Sequence, residues 1–376
     1  EDGEVEITLE ASFEGINLGL VSERLDQDLG VWRTQRSGKS VAMATASSLQ
    51  VDGHDLPATA VDQLKRTWSW KSRAGQIAYF ERTVAVTRSD TQDFDPGRGA
   101  RDKLVVARHL GWRGVLAEHE TAWLSRWQCS DVTVDGDAAA QQALRFAIYH
   151  LNSAANPADE RVSIGARALT GDDYHGHVFW DTEIYLLPFY ILTWPEAARA
   201  LLMYRFRTLD AARAKSARMG WRGALFAWES ADSGAETTPE QVIGADRQVI
   251  DILSGREEQH ISADVAYAVW QYWQATSDET FMRDAGAEIL LETGRFWASR
   301  ALLEADGYRR RLTIRIDQAK KCLKATVEEG EPMTLVVSGI AHQLRSDQTL
   351  RVSVGRPDGP KAPQLAVKSA VAHMAH

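Results

Sequence analysis

The sequence predicts a multidomain chain of mixed α and β structure, with strands at both ends and helices between them. Three observations carry this expectation. The chain has 376 residues, more than the roughly 250–300 that one hydrophobic core organises. Apolar residues alternate with a period of two over residues 1–90, recur at helical spacing from about 101 to 304, and alternate again from Leu312. Turn-forming residues mark both changes of period: Pro96, Gly97 and Gly99 at the first, Asp306-Gly307 at the second.

In 1–95, Val5, Ile7 and Leu9 alternate with Glu6, Thr8 and Glu10, and Ile77 to Thr87 is rich in β-branched and aromatic residues. Asp52-Gly53 and Ala74-Gly75 read as turns, so an antiparallel sheet or sandwich is expected. Asp93 to Ala100 reads as a linker. Helices follow over 101–127, with Trp123 and Trp127 on one face, and over Asp137 to Leu151, with Leu144, Ile148 and Leu151 on one stripe. A loop containing Pro157 and Gly165 leads to a helix-like apolar run, Ile184 to Leu192. Pro195 suits the first turn of the next helix, whose apolar face is Leu201, Leu202, Phe206 and Leu209 and which Gly220 would stop. Residues 262–275 give a helix with Val265, Val269 and Tyr272 inward. Ser277 or Asp278 caps another, in which Phe281, Ala285 and Ile289 recur every four residues. Beyond Asp306-Gly307, runs at Leu312 to Ile316, Leu323 to Val327, Thr334 to Val337 and Leu350 to Val354 form a small β unit. The tail after Gly355 carries three prolines and little pattern, and is expected to be mobile. The resulting divisions are 1–95, a helical linker 96–136, a helical region 137–305, and a C-terminal β unit with tail, 306–376.

Composition narrows the partners. A net charge of −9, without a basic run beyond short Arg clusters, argues against nucleic acid and anionic membranes. The most apolar run, Ile184 to Trp194, contains Pro188 and falls short of the ~20 residues of a membrane span. Cys129 and Cys322 are the two cysteines and form no Cys-x-x-Cys pair, so a reducing, cytoplasmic setting is expected. The chain begins Glu-Asp-Gly-Glu, without an initiator Met or apolar signal core, as a processed or partial chain would. Its 13 tryptophans suit carbohydrate clefts and core packing alike.

Three stretches of the helical region carry chemistry. His175-Gly-His-Val-Phe-Trp-Asp-Thr-Glu183 packs two imidazoles, two aromatic rings and two carboxylates into nine residues. An aromatic face covers the apolar side of a pyranose, and carboxylates accept from its hydroxyls. The alternative is a helix start whose polar residues cap and pair locally. Trp221 to Ser230 repeats the aromatic-plus-carboxylate logic in Trp228 and Glu229; its alternative is a tight glycine turn filled by aromatic packing. Glu257-Glu258-Gln259-His260 precedes a helix, and could instead cap it. Loops at helix termini can converge on one end of a helical barrel or toroid. Glu257-x-x-His260 has the spacing of di-iron bundles but occurs once, and His175-x-His177 lacks a third ligand by spacing, so no metal site is assigned. No phosphate-binding Gly-x-x-x-x-Gly-Lys loop and no Gly-x-Ser-x-Gly elbow occurs. Glycoside cleavage needs a protonated carboxyl at the leaving oxygen, and Asp181, Glu183, Glu229, Glu257 and Glu258 are all candidates among which spacing does not choose.

These blocks resemble glycoside hydrolase family 65, which includes the maltose, trehalose and kojibiose phosphorylases. The resemblance lies in Ser163 to Arg167 through Gly176 to Glu183, then Gly223-Ala224 with Trp228-Glu229-Ser230. It continues in Glu258-Gln259-His260-Ile261, Ala266-Tyr267-Ala268 and Leu290 to Arg300. It implies an N-terminal β-sandwich, an (α/α)6 barrel of which about half is readable here, and a small C-terminal β unit. It further implies an inverting α-glucoside phosphorylase or hydrolase acting on glucose disaccharides. No cofactor is implied; inorganic phosphate would be the co-substrate of phosphorolysis. Trp180 and Asp181 match residues that hold the glucose whose bond is cleaved. Phe179, Trp228, Glu229, Glu258, Gln259 and His260 are assigned to substrate binding with them. The family's general acid stands in a Gly-Pro-Asp-Glu-Tyr-His segment shortly after the match to Trp297-Ala298-Ser299-Arg300. Here Asp306-Gly307-Tyr308 runs into the β unit instead, so no catalytic residue is assigned. A half-barrel would expose apolar helix faces, so a homodimer, a larger homo-oligomer or a complementing chain is expected. The competing reading is a catalytically inactive remnant that binds sugar or assembles with a complete relative.

Overall fold

Strand alternation at the N-terminus resolves into two antiparallel sheets. The structure is a computed structural model that describes residues 4–13, 19–35, 37–89, 95–171, 173–244 and 247–300. Towards the C-terminus it describes 311–317, 322–329, 333–337, 340–345, 348–353 and 366–368. The chain divides into two units, Glu1–Leu201 and Leu202–His376.

In the first unit, β1 (Val5–Ser12), β7 (Lys65–Ser72) and β6 (Ala60–Asp62) form one sheet in the order β1-β7-β6. The other sheet has the order β2 (Leu20–Leu25), β3 (Leu29–Thr34), β4 (Ser40–Val51), β5 (His54–Leu56). Its β8 (Ala78–Arg88) pairs with β4 from Val41↔Arg88 to Val51↔Ala78. Asp52 (φ 52°) and Gly53 (φ 78°) make the β4–β5 turn. Two consecutive positive φ values define the primed turn whose twist matches a hairpin, which is why an Asp-Gly pair stands there. Ala11, Leu49 and the fully buried Trp68 form one core cluster across the two sheets.

Helix α1 (Pro96–Ser130) packs its first turns on the second sheet, where Ala100 and Leu104 join Leu29, Ala42, Ala44 and Ala85. Residues 95–100 therefore correct the linker expectation. Asp95 caps the helix, accepting from the N–H groups of Gly97 (2.9 Å) and Arg98 (3.3 Å), and Pro96 occupies the first turn, where its missing N–H costs nothing. Residues 93 and 94 lie outside the described residues. Gly111 (φ 66°) breaks α1 within the stretch read as one helix. Helix α2 (Ala138–Ala154) starts at Asp137, whose carboxylate accepts from Ala140 N–H at 2.9 Å. Tyr149 of α2 stacks on Trp123 of α1, with ring centroids 5.0 Å apart.

The apolar run read as one helix begins as a π-helical turn, Thr182–Leu186, and continues as α3 (Leu187–Thr193). Pro195 starts α4 (Pro195–Arg207) as expected, but Thr208 ends it and α5 (Leu209–Arg218) follows, so two helices stand where one was read. The Thr208 hydroxyl donates back to the Tyr204 carbonyl at 2.8 Å, which competes with continuing the helix.

The second unit continues with a hairpin absent from the sequence reading, β9 (Gln241–Ile243) and β10 (Val249–Asp251). Then come α6 (Ser254–Glu257), α7 (Ile261–Thr276), α8 (Glu279–Phe281), a π-helical turn Met282–Gly286, and α9 (Ala287–Arg300). Val265, Val269, Tyr272, Phe281, Ala285 and Ile289 are all buried, as their spacing predicts. Asp278 is the capping residue, accepting from Phe281 N–H at 2.9 Å, while Ser277 ends α7 in the left-handed region.

The Asp306-Gly307 junction lies outside the described residues. After it, β11 (Arg311–Asp317), β12 (Cys322–Glu329) and β15 (Thr349–Ser353) form one sheet. The other is ordered β14 (Ile340–Leu344), β13 (Met333–Val337), β16 (Ala366–Lys368). Leu323, Ala325, Leu335 and Leu344 form their core. The tail read as patternless thus contributes a strand to β13; its other residues lie outside the described ones. Among the described residues no helix is long and apolar enough to cross a membrane.

Candidate functional site

The first candidate block sits on a loop closed by its own backbone. Ala166 N–H donates to the His177 carbonyl at 3.1 Å, and the Thr182 hydroxyl donates to the Ile164 carbonyl at 3.2 Å. A Cβ on Gly165 would lie 2.7 Å from the Gly176 carbonyl oxygen, so only glycine lets the two ends of the loop meet. Tyr174 (φ 61°), His175 (φ 54°) and Gly176 (φ 73°) are consecutive left-handed residues. Two of the three carry a Cβ that this region disfavours, a form of strain that clusters at functional loops.

That loop delivers Phe179-Trp180-Asp181 to the start of the π-helical turn. Phe179 meets the ring of Tyr174 edge-on at 5.5 Å, and Trp180 lies 5.6 Å from Tyr185. Asp181 is exposed, and although it stands where a cap residue would, its side chain makes no capping bond. The alternative that these polar residues merely cap the helix therefore fails at Asp181. Glu183, by contrast, is wholly buried and engaged within the fold.

In the second unit, Ala224 to Ala227 are buried and a Cβ on Gly223 (φ 75°) would press on the Glu292 carbonyl at 2.3 Å. The packed-turn alternative is thus right for 223–227. Trp228 emerges half-buried from it. Glu229 is only 9% exposed, which turns its carboxylate away from solvent. The backbone N–H groups of Trp228 and Glu229 both donate to the carboxylate of Glu236, at 3.0 and 3.2 Å.

Glu258, Gln259 and His260 lie between α6 and α7. They do not cap α7: His260 stands at its N-terminus and makes no side-chain cap bond. His260 Nδ1 instead lies 2.6 Å from Asp264, its Nε2 lies 3.7 Å from Glu258, and its ring meets that of Trp228 edge-on at 5.9 Å. Gln259 Oε1 is buried without a hydrogen-bond partner among the described residues. The second and third stretches of the sequence thus come together in one place. Of the five candidate carboxyls, Asp181, Glu257 and Glu258 are exposed, while Glu183 and Glu229 are buried.

Sequence reasoning missed Asp264 and Glu236. Asp264 was within reach, since i and i+4 residues share a helix face. Glu236, in Ala235-Glu236-Thr237-Thr238, gives no such local signal. Burial works to raise its pKa, but hydrogen bonds from Lys215 and Thr238 outweigh it and hold the carboxyl below the ordinary value. Elsewhere in the first unit, a cavity of about 710 Å³ is lined by Thr87, Arg88, Lys103, Asp159 and Arg161, among others. Its buried Asp159 is already paired with Arg88 and Arg161. Among the described residues no group of three or more His, Cys, Asp or Glu is arranged to hold a metal.

Comparison with known proteins places these elements in a lineage. The model described as "Glycosyl hydrolase family 65, N-terminal domain" matches residues 11–126, and "Glycosyl hydrolase family 65 central catalytic domain" matches residues 145–315. The chain is 52% identical over 190 residues to a kojibiose phosphorylase of Caldanaerobacter subterraneus subsp. tengcongensis, covering 50% of this chain and 25% of that protein. It is 39% identical over 279 residues to a kojibiose phosphorylase of Escherichia coli (strain K12), covering 73% of this chain and 37% of that protein. A solved structure described as "Putative kojibiose phosphorylase from human microbiome" shares the fold, with a TM-score of 0.65 at 22% identity over 81% of this chain and 40% of that one. The chain spans between 25% and 37% of the length of these two curated relatives.

Proposed function

The chain belongs to glycoside hydrolase family 65, and from that premise we propose that it acts on α-linked glucose disaccharides by the family's inverting route, phosphorolytic or hydrolytic. Asp181 carries the reading. It is an exposed carboxylate directly after Trp180, in a loop whose geometry leaves it uncommitted to capping. A ring face beside a free acceptor is what a pyranose requires: stacking on its C–H side and charge-assisted bonds from its hydroxyls, each worth on the order of 1–3 kcal/mol. Trp180 and Asp181, with Phe179 beside them, are assigned to the glucose whose bond is cleaved. In the second unit, Trp228, Glu258, Gln259 and His260 are assigned sugar contacts, with Glu229 shaping the loop beneath Trp228.

The wider architecture belongs to the same proposal: a β-sandwich over 1–95, a helical linker over 96–136, part of an (α/α)6 barrel over 137–305 and a β unit over 306–376. So do inorganic phosphate as co-substrate, self-association or a complementing chain, and a cytoplasmic location. Protonation of the leaving oxygen is assigned to a group outside these 376 residues, which contain no Gly-Pro-Asp-Glu-Tyr-His segment. Loss of such an acid typically costs 10²–10⁴-fold in rate, roughly enough to silence the chain alone.

The test is a glucose titration of the 376-residue chain by ligand-observed NMR. Wild type is expected to bind at roughly millimolar Kd. Asp181→Ala should lose the signal, and Lys71→Ala, on the exposed side of β7, should keep it. Equal binding by wild type and Asp181→Ala would overturn the sugar assignment. Steady glucose release from kojibiose by the purified chain would overturn the placement of the acid.

A further inference from the structure

The sugar contacts proposed in the second unit lie on two stretches, Trp228-Glu229 and Glu258-Gln259-His260, and one carboxylate, Glu236, bonds the first and packs against the helix that leads into the second. We propose that Glu236, clamped by Lys215, is the positioning residue that sets both stretches at once. The inference rests on reading those stretches as sugar contacts.

Five donors converge on the Glu236 carboxylate. Oε2 accepts from Lys215 Nζ at 2.5 Å and from Trp228 N–H at 3.0 Å. Oε1 accepts from the Thr238 hydroxyl at 2.6 Å, from Glu229 N–H at 3.2 Å and from Thr238 N–H at 3.3 Å. Binding two consecutive backbone N–H groups orients the peptide plane between Trp228 and Glu229, and with it the direction in which the Trp228 ring leaves the chain. The clamp is sheltered: the side chain of Lys215 is 6% exposed and that of Glu236 18%. Lys215 projects from α5 and also donates to the Phe226 carbonyl at 3.4 Å, just upstream of the same loop.

The stem of Glu236 serves the other stretch. A Cβ on Gly255 of α6 would lie 3.1 Å from Glu236 Cδ, 3.3 Å from its Cγ and 3.0 Å from Thr238 Cβ. Helix α6 therefore rests on Glu236 and Thr238 at a position that lacks a side chain. Glu258 follows directly, its N–H bonded to the Ser254 carbonyl at 3.0 Å, and His260 then meets Trp228. The Glu236 side chain holds one stretch through its carboxylate oxygens and meets the other through Cγ and Cδ.

A buried ion pair can also be purely structural, and a neutral pair often replaces it without loss of stability. The two roles separate in variants. In Glu236→Gln the Trp228 and Glu229 amide protons should move upfield in the spectrum of the ¹⁵N-labelled chain, as their shared charged acceptor is lost. Glucose affinity should fall roughly tenfold. Glu236→Asp keeps the charge for Lys215 but withdraws the carboxylate by one methylene, so it should show the same two changes with a near-normal melting temperature. The double variant Lys215→Met with Glu236→Gln should regain melting temperature but not affinity. Unmoved Trp228 and Glu229 amides in both Glu236 variants would overturn the inference. So would a double variant that regains affinity together with stability. Trp228→Ala is the control for the sugar reading. If it binds glucose as wild type does, that reading fails in this unit, and the amide shifts alone then decide whether Glu236 positions the loop.

Discussion

Trp180-Asp181 in the first unit and Trp228-Glu229 in the second have the same chemical pattern, a tryptophan followed by a carboxylate, in opposite surroundings. Asp181 is exposed, and its loop is shaped by backbone: left-handed residues at Tyr174 to Gly176 and the close approach of Gly165 to Gly176. Glu229 is nearly buried, and its loop is shaped by a side chain, Glu236, that reaches it from a later segment. A carboxylate open to water can meet a ligand, whereas a buried one is committed to the fold because desolvation must be offset by protein partners. Equal dipeptides therefore divide into an exposed carboxylate and a buried one.

The largest expected break in this comparison is Lys215→Met. It strands the Glu236 carboxylate in a sheltered site, where loss of one partner of a buried pair costs roughly 3–5 kcal/mol. Urea unfolding should show it, and no single change in the 174–181 loop should match it. Gly165→Ala comes next. Its Cβ would fall 2.7 Å from a backbone oxygen that cannot swing aside, so about 1–3 kcal/mol and the shape of the Trp180-Asp181 loop should be lost together. Near-ultraviolet circular dichroism alongside the melt would report both.

Acid should separate the two regions as well. The pKa of Glu236 is depressed in the fold relative to its ordinary value of 4.5, so the stability it contributes is fully present above that value. It is lost as pH falls through the lower, folded-state pKa. The melting temperature of the chain should fall with acid below about pH 4.5 less steeply in Glu236→Gln than in wild type; parallel curves would contradict the depressed pKa. The smallest effect belongs to Asp181→Ala, which should leave stability within about 0.5 kcal/mol while removing glucose binding. A stability loss of several times that size would mean that Asp181 supports the fold after all.

Much of the architecture was legible locally. Asp137 and Asp278 cap helices because a short acceptor before an apolar-periodic run serves the first N–H groups. Asp52-Gly53 turns because both residues tolerate left-handed backbone, and Val265, Val269 and Tyr272 face inward because 3.6 residues make a turn. The misses have one character. The helix read through Thr208 breaks where a hydroxyl competes for a carbonyl. The turn at Thr182–Leu186 is π-helical, which periodicity does not register. Strand β16 exists because β13 offers it an edge. The candidate site divides in the same way. Its aromatic and acidic residues were visible, while the exposure of Asp181, the burial of Glu183 and Glu229, and the role of Glu236 were not.

By itself, then, the sequence determined the succession of β, α and β regions, several of the helix starts, the family, and the residues from which a sugar site is proposed. Each of these depends on neighbours a few positions apart, where backbone geometry and side-chain type act directly. Tertiary structure alone decided which of those residues face water and which carboxylate organises them. Burial and long-range hydrogen bonds join Lys215, Glu236 and Gly255 to Trp228 and His260, and no pattern within a single segment encodes such a meeting.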